Sequence, residues 1–514
     1  MKWLWLYRNY VIAILTPFLI LPLPLTVNTS EAKCGFVLIL MAVYWCSECL
    51  PLAITALLPV IFFPMMRIMT AEDVCGQYFS DSSMLGVGGL MVAISVEKWN
   101  LHKRLAISVI LVVGVRPALL MLGFMSITAF VSMWISNIAS TAIMLPIMNS
   151  MLEYLTVELS PEELLQAEQR MQEHEQKYLR LKKGMSLSIC YAASIGGTAT
   201  LTGSFPNLIL KAQIDKIYPE NGDVINYTSW FGFFFPNMVL MLILCWLLLQ
   251  FMYLGFNVKN TWGCGMTRSS HEKVFLVMRH ELRKLGSMCF ADYSVLVLFI
   301  LLVLLWFTRN PSFMPGWGSL LENKFVSDST VSILITFMFF IIPSKFPRCW
   351  HAGSLDISGR SEKKIPGMLL DYQTVEKMIP WNILLLLGGA LALAKGSEVS
   401  NLSFWLGQNL LPLGNIHPAA LSFVLCLIVT MLTEVCNNAV ISTVFLPILA
   451  SMANALKIHP LSIMLPTTIS ASFAFMLPVA TAPNAITFNY ANLKIMDMLW
   501  GSQSIDFCAS PKPG

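Results

Sequence analysis

The chain reads as an all-α polytopic membrane protein built from an inverted repeat, and three observations predict this. First, its 514 residues are 56% hydrophobic and only 12% charged, with a mean hydropathy of +0.67, whereas soluble domains carry about 25% charged residues. Second, apolar runs recur at 10–27, 34–64, 105–124, 185–210, 230–254, 293–306, 331–343 and 381–394. Against the roughly 20 residues that a crossing needs, they predict about nine to ten spans. Third, the two apolar stretches most interrupted by polar residues are copies of each other. Ser136-Asn137 opens SNIASTAIMLPIMNSML and Asn437-Asn438 opens NNAVISTVFLPILASMA. Asn137 and Asn438 are 301 residues apart, and at the same offset Leu145-Pro146-Ile147 recurs as Leu446-Pro447-Ile448.

Taken in order, the elements support this reading. Lys2 and Arg8 flank the first run, and Leu21-Pro22-Leu23-Pro24 follows it where a cleaved signal would show a small-x-small site; it is read as a first span with its basic flank inside. A double glycine precedes each repeated copy, Gly88-Gly89 and Gly388-Gly389, and a Pro-Asn pair follows each. The first pair ends Thr202-Gly203-Ser204-Phe205-Pro206-Asn207 and the second ends Thr481-Ala482-Pro483-Asn484. Polar connections at 153–183, 259–284 and 345–377 hold most of the remaining basic residues, which places all three in the cytoplasm. Sequons begin at Asn28, Asn226 and Asn401; the first two fall outside, although so short a pattern also arises by chance. The expected units are a first span plus first repeat at 1–254 with a hairpin at about 125–152, a connection at 255–292, a second repeat at 293–498 with a hairpin at about 418–453, and a divergent tail at 499–514.

Several function classes are excluded. A net charge of +4 without a basic, aromatic-studded stripe argues against nucleic acid. The twelve cysteines form no framework, and Cys46-Ser47-Glu48-Cys49 is a lone C-x-x-C without a second pair for zinc. Phosphate-binding loops, H-E-x-x-H and the nucleophile elbow are missing. Neither an enzyme nor a cofactor is expected.

The repeated segments do carry chemistry. Broken helices persist in hydrocarbon only where protein, water or a ligand covers their backbone. Asn137, Ser140 and Thr141 before Pro146, and Asn438, Ser442 and Thr443 before Pro447, put oxygens and helix-breaking prolines at membrane depth. Side-chain oxygens and opened carbonyls suit sodium; helix N-termini suit a carboxylate. Such residues also act as simple helix glue, but two matched copies in an interrupted repeat point to a solute site. Of the intramembrane acids, Glu97 lies beside Lys98, and Glu398 near Lys395, at expected helix ends where ion pairs at the interface account for them. Glu434, four residues before Asn438, is a candidate either for organising the site or for structure alone.

Ser136-Asn137-Ile138-Ala139-Ser140-Thr141, the stretch from Ile195-Gly196-Gly197-Thr198 to Gly203, and the stretch from Ala471-Ser472-Phe473 to Thr481 resemble the divalent anion:sodium symporters, and within them the animal dicarboxylate and citrate cotransporters. The resemblance runs from about residue 3 to 498. It implies an elevator-type homodimer with two re-entrant hairpins in an epithelial, apical plasma membrane, importing a C4-dicarboxylate such as succinate, or citrate, with several sodium ions. Carried over, the family's motifs assign substrate contacts to Asn137, Ser140, Asn438, Thr202 and Pro206. Sodium would be held around Ser136, Asn137, Gly203, Asn207, Asn437, Asn438, Thr481 and Asn484. Ile138, Phe205, Asn437, Ile441 and Ala482 depart from the usual hydroxyl, small residue, Ser, Thr and Pro. Sulfate symport, and a transport-inactive isoform associating with an intact paralogue, are the alternatives. Only thirty residues follow Asn484 and none forms a crossing run, so the sequence predicts a second repeat without its last helix.

Overall fold

The computed structural model describes residues 7–113, 116–156, 168–220, 223–254, 275–276, 279–280, 282–311, 315–321, 325–345, 367–410, 417–478, 480–494 and 496–498. Most of the connections expected at 259–284 and 345–377, and the tail at 499–514, lie outside them. The described residues are helical almost throughout, the single β-bridge being Pro343 to Met368.

The chain begins with α1 (Arg8–Ile20) and α2 (Ser30–Ser47), the latter capped by the Thr29 hydroxyl, which accepts from the Ala32 amide at 3.3 Å. Short helices Leu52–Ala56 and Leu58–Met65 lead to α3 (Asp81–Lys98). A first hairpin follows, α4 (Pro117–Ser132) and α5 (Asn137–Thr156). Next come a long helix α6 (Glu168–Gly197), a break at 198–204, and a short α7 (Phe205–Ile217). The long apolar helices α8 (Tyr227–Leu249) and α9 (Phe290–Arg309) and the shorter α10 (Asp328–Ile341) connect to the second half. There the pattern returns as α11 (Trp381–Val399), α12 (Leu402–Leu410), a hairpin of α13 (Pro418–Thr433) and α14 (Asn438–Leu456), then α15 (Leu461–Ala471), a break at 472–481 and α16 (Ala482–Tyr490).

The two halves are inverted with respect to each other. At its start α3 meets α10, where the Ser327 hydroxyl donates to Asp81 at 2.6 Å; at its end Lys98 pairs with Asp371, just ahead of α11. From there α11 returns, and Ser397 near its end lies 3.8 Å from Cys34 at the start of α2. Both α3 and α11 stop at an asparagine in the left-handed region, Asn100 (φ 52°) and Asn401 (φ 59°), a conformation asparagine tolerates better than other side chains. The double glycines are explained by close approach rather than by flexibility. A Cβ on Gly88 would sit 2.3 Å from Ser332 Oγ, and one on Gly388 would sit 2.4 Å from the Tyr78 ring.

Seven of the described helices are long and apolar enough to cross a membrane, with six shorter apolar ones beside them. This is fewer full spans than the nine to ten expected, because several apolar runs are broken. The run 105–124 stops at Val113 and restarts at Pro117, whose missing amide suits a first helical position. The run 185–210 contains the break after Gly197, and 34–64 is cut where Glu48 turns left-handed (φ 49°). The first hairpin already begins at Pro117.

Several charges are buried together in one cluster. Arg309 Nε lies 2.6 Å from Asp328 and its Nη2 lies 2.6 Å from Asp223, while Lys211 on α7 reaches Asp215 at 3.1 Å and Asp223 at 3.3 Å. Asp328 also accepts from the Tyr227 amide. The cluster ties α7 to α8, α9 and α10. Removing one partner of a buried pair leaves an uncompensated charge and costs about 3–5 kcal/mol. Asp328→Ala is therefore expected to lower the thermal unfolding midpoint of the purified protein clearly, whereas exchanging the half-exposed Lys395–Glu398 pair should hardly move it.

Candidate functional site

Each hairpin turns through a four-residue tip. In the first, the Ser132 hydroxyl sits between Asn137 Oδ1 (2.6 Å) and the Ala193 carbonyl (2.7 Å). In the second, the Thr433 hydroxyl sits between Asn438 Oδ1 (2.8 Å) and the Ala471 carbonyl (2.9 Å). Residue before residue, the same task is done twice. Ser136 Oγ accepts from the Ala139 amide at 3.3 Å and Asn437 Oδ1 accepts from the Ala439 amide at 3.0 Å. Asn437 thus keeps the capping role that a serine would have.

The breaks are also built alike. Asn207 Nδ2 donates to the carbonyls of Gly197 (3.1 Å) and Thr200 (2.8 Å), and Asn484 Nδ2 donates to those of Ala474 (2.9 Å) and Leu477 (2.9 Å). Both asparagines are fully buried. Asn207 Oδ1 is a buried oxygen with no hydrogen-bond partner, the kind of ligand a hard cation takes up. Ser204 and Ser472 hydroxyls, 3.3 Å apart, join the two breaks.

Tip and break are tied together differently in the two halves. In the first, the Thr200 hydroxyl donates to the Met133 carbonyl. In the second, the buried Glu434 carboxylate takes the amides of Phe475 (2.7 Å), Met476 (3.0 Å) and Leu477 (3.0 Å). Glu434 therefore holds the second break open, a structural task performed at the site.

Tips and breaks converge on a cavity of about 190 Å³ walled by Ser136, Asn137, Ile138, residues 202–206, Asn437, Asn438 and residues 481–483. The first residues of α5, α7, α14 and α16 all reach this wall. Four helix N-termini, each with a partial positive charge, therefore meet at one small space. A larger cavity of about 550 Å³ lies elsewhere, between α12 and the outer part of α14; it collects neither tips nor breaks.

The sequence-derived residues divide accordingly. Ser136, Asn137, Thr202, Gly203, Pro206, Asn437, Asn438 and Thr481 line the cavity. Asn207 and Asn484 lie behind it, holding the breaks. Ser140 is buried with an unpartnered hydroxyl and is not on the wall. Thr202 shares its hydroxyl with Tyr227. Of the departures, Phe205 lines the cavity and Ile138 is 48% exposed into it. Sequence reasoning passed over Ser132 and Thr433; the signal was there, a hydroxyl residue five positions before each tip asparagine. Among the described residues no group of His, Cys, Asp and Glu converges as for a transition metal, and the oxygens on offer are amide, hydroxyl and carbonyl.

The model of the sodium:sulfate symporter transmembrane region matches residues 2–502. The chain belongs to this family. It is 49% identical to solute carrier family 13 member 2 of Homo sapiens, over 96% of this chain and 89% of that one. It is 44% identical to the Na(+)/citrate cotransporter of Mus musculus (96% and 91%) and 40% identical to the Na(+)/dicarboxylate cotransporter 3 of Homo sapiens (97% and 89%). Among solved structures, the YdaH transporter of Alcanivorax borkumensis superimposes with a TM-score of 0.53 at 13% identity, covering 85% of each chain; this likeness concerns the fold. A helical, polytopic fold with an inverted repeat and two hairpins is thus common to the sequence reading and the structure, and the family is one of membrane symporters.

Asn484→Ala would leave two buried carbonyls unpaired, at about 1–3 kcal/mol each. The expected result is a lower unfolding midpoint than wild type, with Asn207→Ala behaving alike, while Ser140→Ala, which breaks no hydrogen bond, leaves the midpoint in place.

Proposed function

We propose that the chain is a sodium-coupled symporter importing C4-dicarboxylates of the succinate type, with citrate as a second substrate. The observation that carries this reading is the convergence of four helix N-termini on one small cavity, flanked by two clusters of buried carbonyl and amide oxygens. The N-termini offer two separated amide-rich poles to a dianion, with Asn137 and Asn438 reading one carboxylate each beside Thr202 and Pro206. Sodium ions take the oxygens of Ser136, Asn137, Gly203 and Asn207 on one side and of Asn437, Asn438, Thr481 and Asn484 on the other. Ser140 acts from behind the first tip. The relatives named for dicarboxylate and citrate cotransport support this choice of anion. Sulfate, named in the family description, is the second reading and is separated by competition. The protein works as a homodimer in the plasma membrane, alternating access by moving hairpins and breaks as one body.

Cation and anion sites share the tip asparagines, so each ligand favours binding of the other. Uptake of labelled succinate by cells expressing the chain is expected to vanish when choline replaces sodium and to be competed by citrate more than by sulfate. Sodium-independent uptake would overturn the reading, and no uptake at all would favour a transport-inactive isoform.

The departures give a second test. Phe205 narrows the cavity and Ile138 cannot hydrogen-bond. Restoring a hydrogen bond to a charged group is worth about 1.5–3 kcal/mol, or roughly ten- to hundredfold in affinity. Ile138→Thr and Phe205→Ala are expected to lower the KM for succinate, the former by up to that range; unchanged KM in both would show that neighbouring side chains already compensate.

A further inference from the structure

We propose that Tyr227, a residue outside the cavity, positions the anion site by holding the Thr202 hydroxyl so that its proton is left for a carboxylate. Thr202 is on the cavity wall, and Tyr227 stands behind it at the start of α8. Their hydroxyls are hydrogen-bonded to each other. The other branch of Thr202 is held as well, since a Cβ on Gly89 of α3 would sit 2.9 Å from its methyl carbon. With methyl and hydroxyl both confined, the side chain is kept in one rotamer.

Tyr227 is itself fixed from two sides. Its ring stacks on Trp306 of α9, with centroids 4.0 Å apart and planes 13° apart, and its amide donates to the Asp328 carboxylate of α10 at 3.3 Å. Three residues on, Trp230 Nε1 donates to the Thr198 carbonyl at 3.1 Å, so the first turn of α8 grips the first break at two points. Tyr227 is buried, and a buried phenol proton without an acceptor carries its full desolvation cost. The acceptor in its hydrogen bond is Thr202 Oγ1. Tyr227 therefore donates and Thr202 accepts. A hydroxyl has one proton and two lone pairs, and a hydroxyl that accepts one bond is polarised to donate another. The Thr202 proton is left to meet an oxygen in the cavity, and a carboxylate is the acceptor that gains most from it. Tyr227 thus acts through Thr202 and touches no ligand itself.

The identity of the anion rests on the symport reading. The test compares wild type with Tyr227→Phe, which removes the hydroxyl and keeps the ring stack, with Thr202→Val, which keeps the shape of Thr202, and with the double variant. Two readouts are taken in saturating sodium. One is succinate uptake by cells. The other is the rise in unfolding midpoint that succinate, citrate or sulfate produces in the purified full chain. Losing the direction of one hydrogen bond to a charged group is expected to raise the KM for succinate about five- to tenfold in Tyr227→Phe, with the maximal rate little changed. Thr202→Val is expected to weaken succinate at least as much, and the double variant no more than Thr202→Val alone, because the two act as one unit. A Tyr227→Phe chain that takes succinate as tightly as wild type overturns the proposal, and so does a double variant in which the two losses multiply. A lower KM in Tyr227→Phe also overturns it, because Thr202 is then the donor of the pair. Stabilisation by anion without uptake contradicts symport alone, and the shifts in midpoint then decide the role of Tyr227. A wild-type chain that neither carries nor is stabilised by any of the three anions overturns the symport reading and, with no anion site to position, this proposal as well.

Discussion

Everything in this fold answers to one constraint: a polypeptide interrupted inside hydrocarbon must still satisfy its backbone. At two places the helices open, and at each a fully buried asparagine closes the gap by donating to the carbonyls ten and seven residues earlier. The tips depend on the same economy of means, one hydroxyl set between a side-chain amide and a carbonyl of the neighbouring broken helix. Once these groups are provided for internally, the N-termini of four helices are left around one cavity. The polarity of the site is thus the remainder of a folding problem that side chains solve only in part.

The two halves solve it unequally. Where the first uses a threonine hydroxyl on a backbone carbonyl, the second commits a buried carboxylate to three amides. A charge held that way is costly to bury unless fully hydrogen-bonded, so the second break is more tightly specified than the first. The bulk of Phe205 and the apolar Ile138 both fall on the first half's part of the wall.

The tip asparagines and the Pro-Asn pairs were legible in the sequence because they occur twice at matching positions, and a repeat is a nonlocal constraint that survives divergence. Hydropathy gave the class of fold but not the breaks within it, since a window over 105–124 cannot register that Arg116-Pro117 restarts a helix. Ser132 and Thr433 differ in identity and so escape a search for identical residues, although both supply the same hydroxyl. The Arg309–Asp223–Asp328–Lys211 cluster brings together positions far apart in the chain; no periodicity or local motif records it. Ser140 shows the converse, a residue marked by its motif whose side chain stays behind the wall.

The antiparallel course of α3 and α11, each ending at a left-handed asparagine, has a consequence for vectoriality. Viewed from either face of the membrane, an arriving solute meets nearly the same tip, the same break and the same carbonyls. A carrier of this build has no intrinsic forward sense; net flux follows whichever way the ion gradient points, and reversing the gradient reverses the cargo. What distinguishes entry from exit lies in the positions where the halves disagree, among them Glu434 opposite Met133 and Phe205 opposite Ala482. Those positions make the barrier for one face differ from that for the other without altering the equilibrium between them.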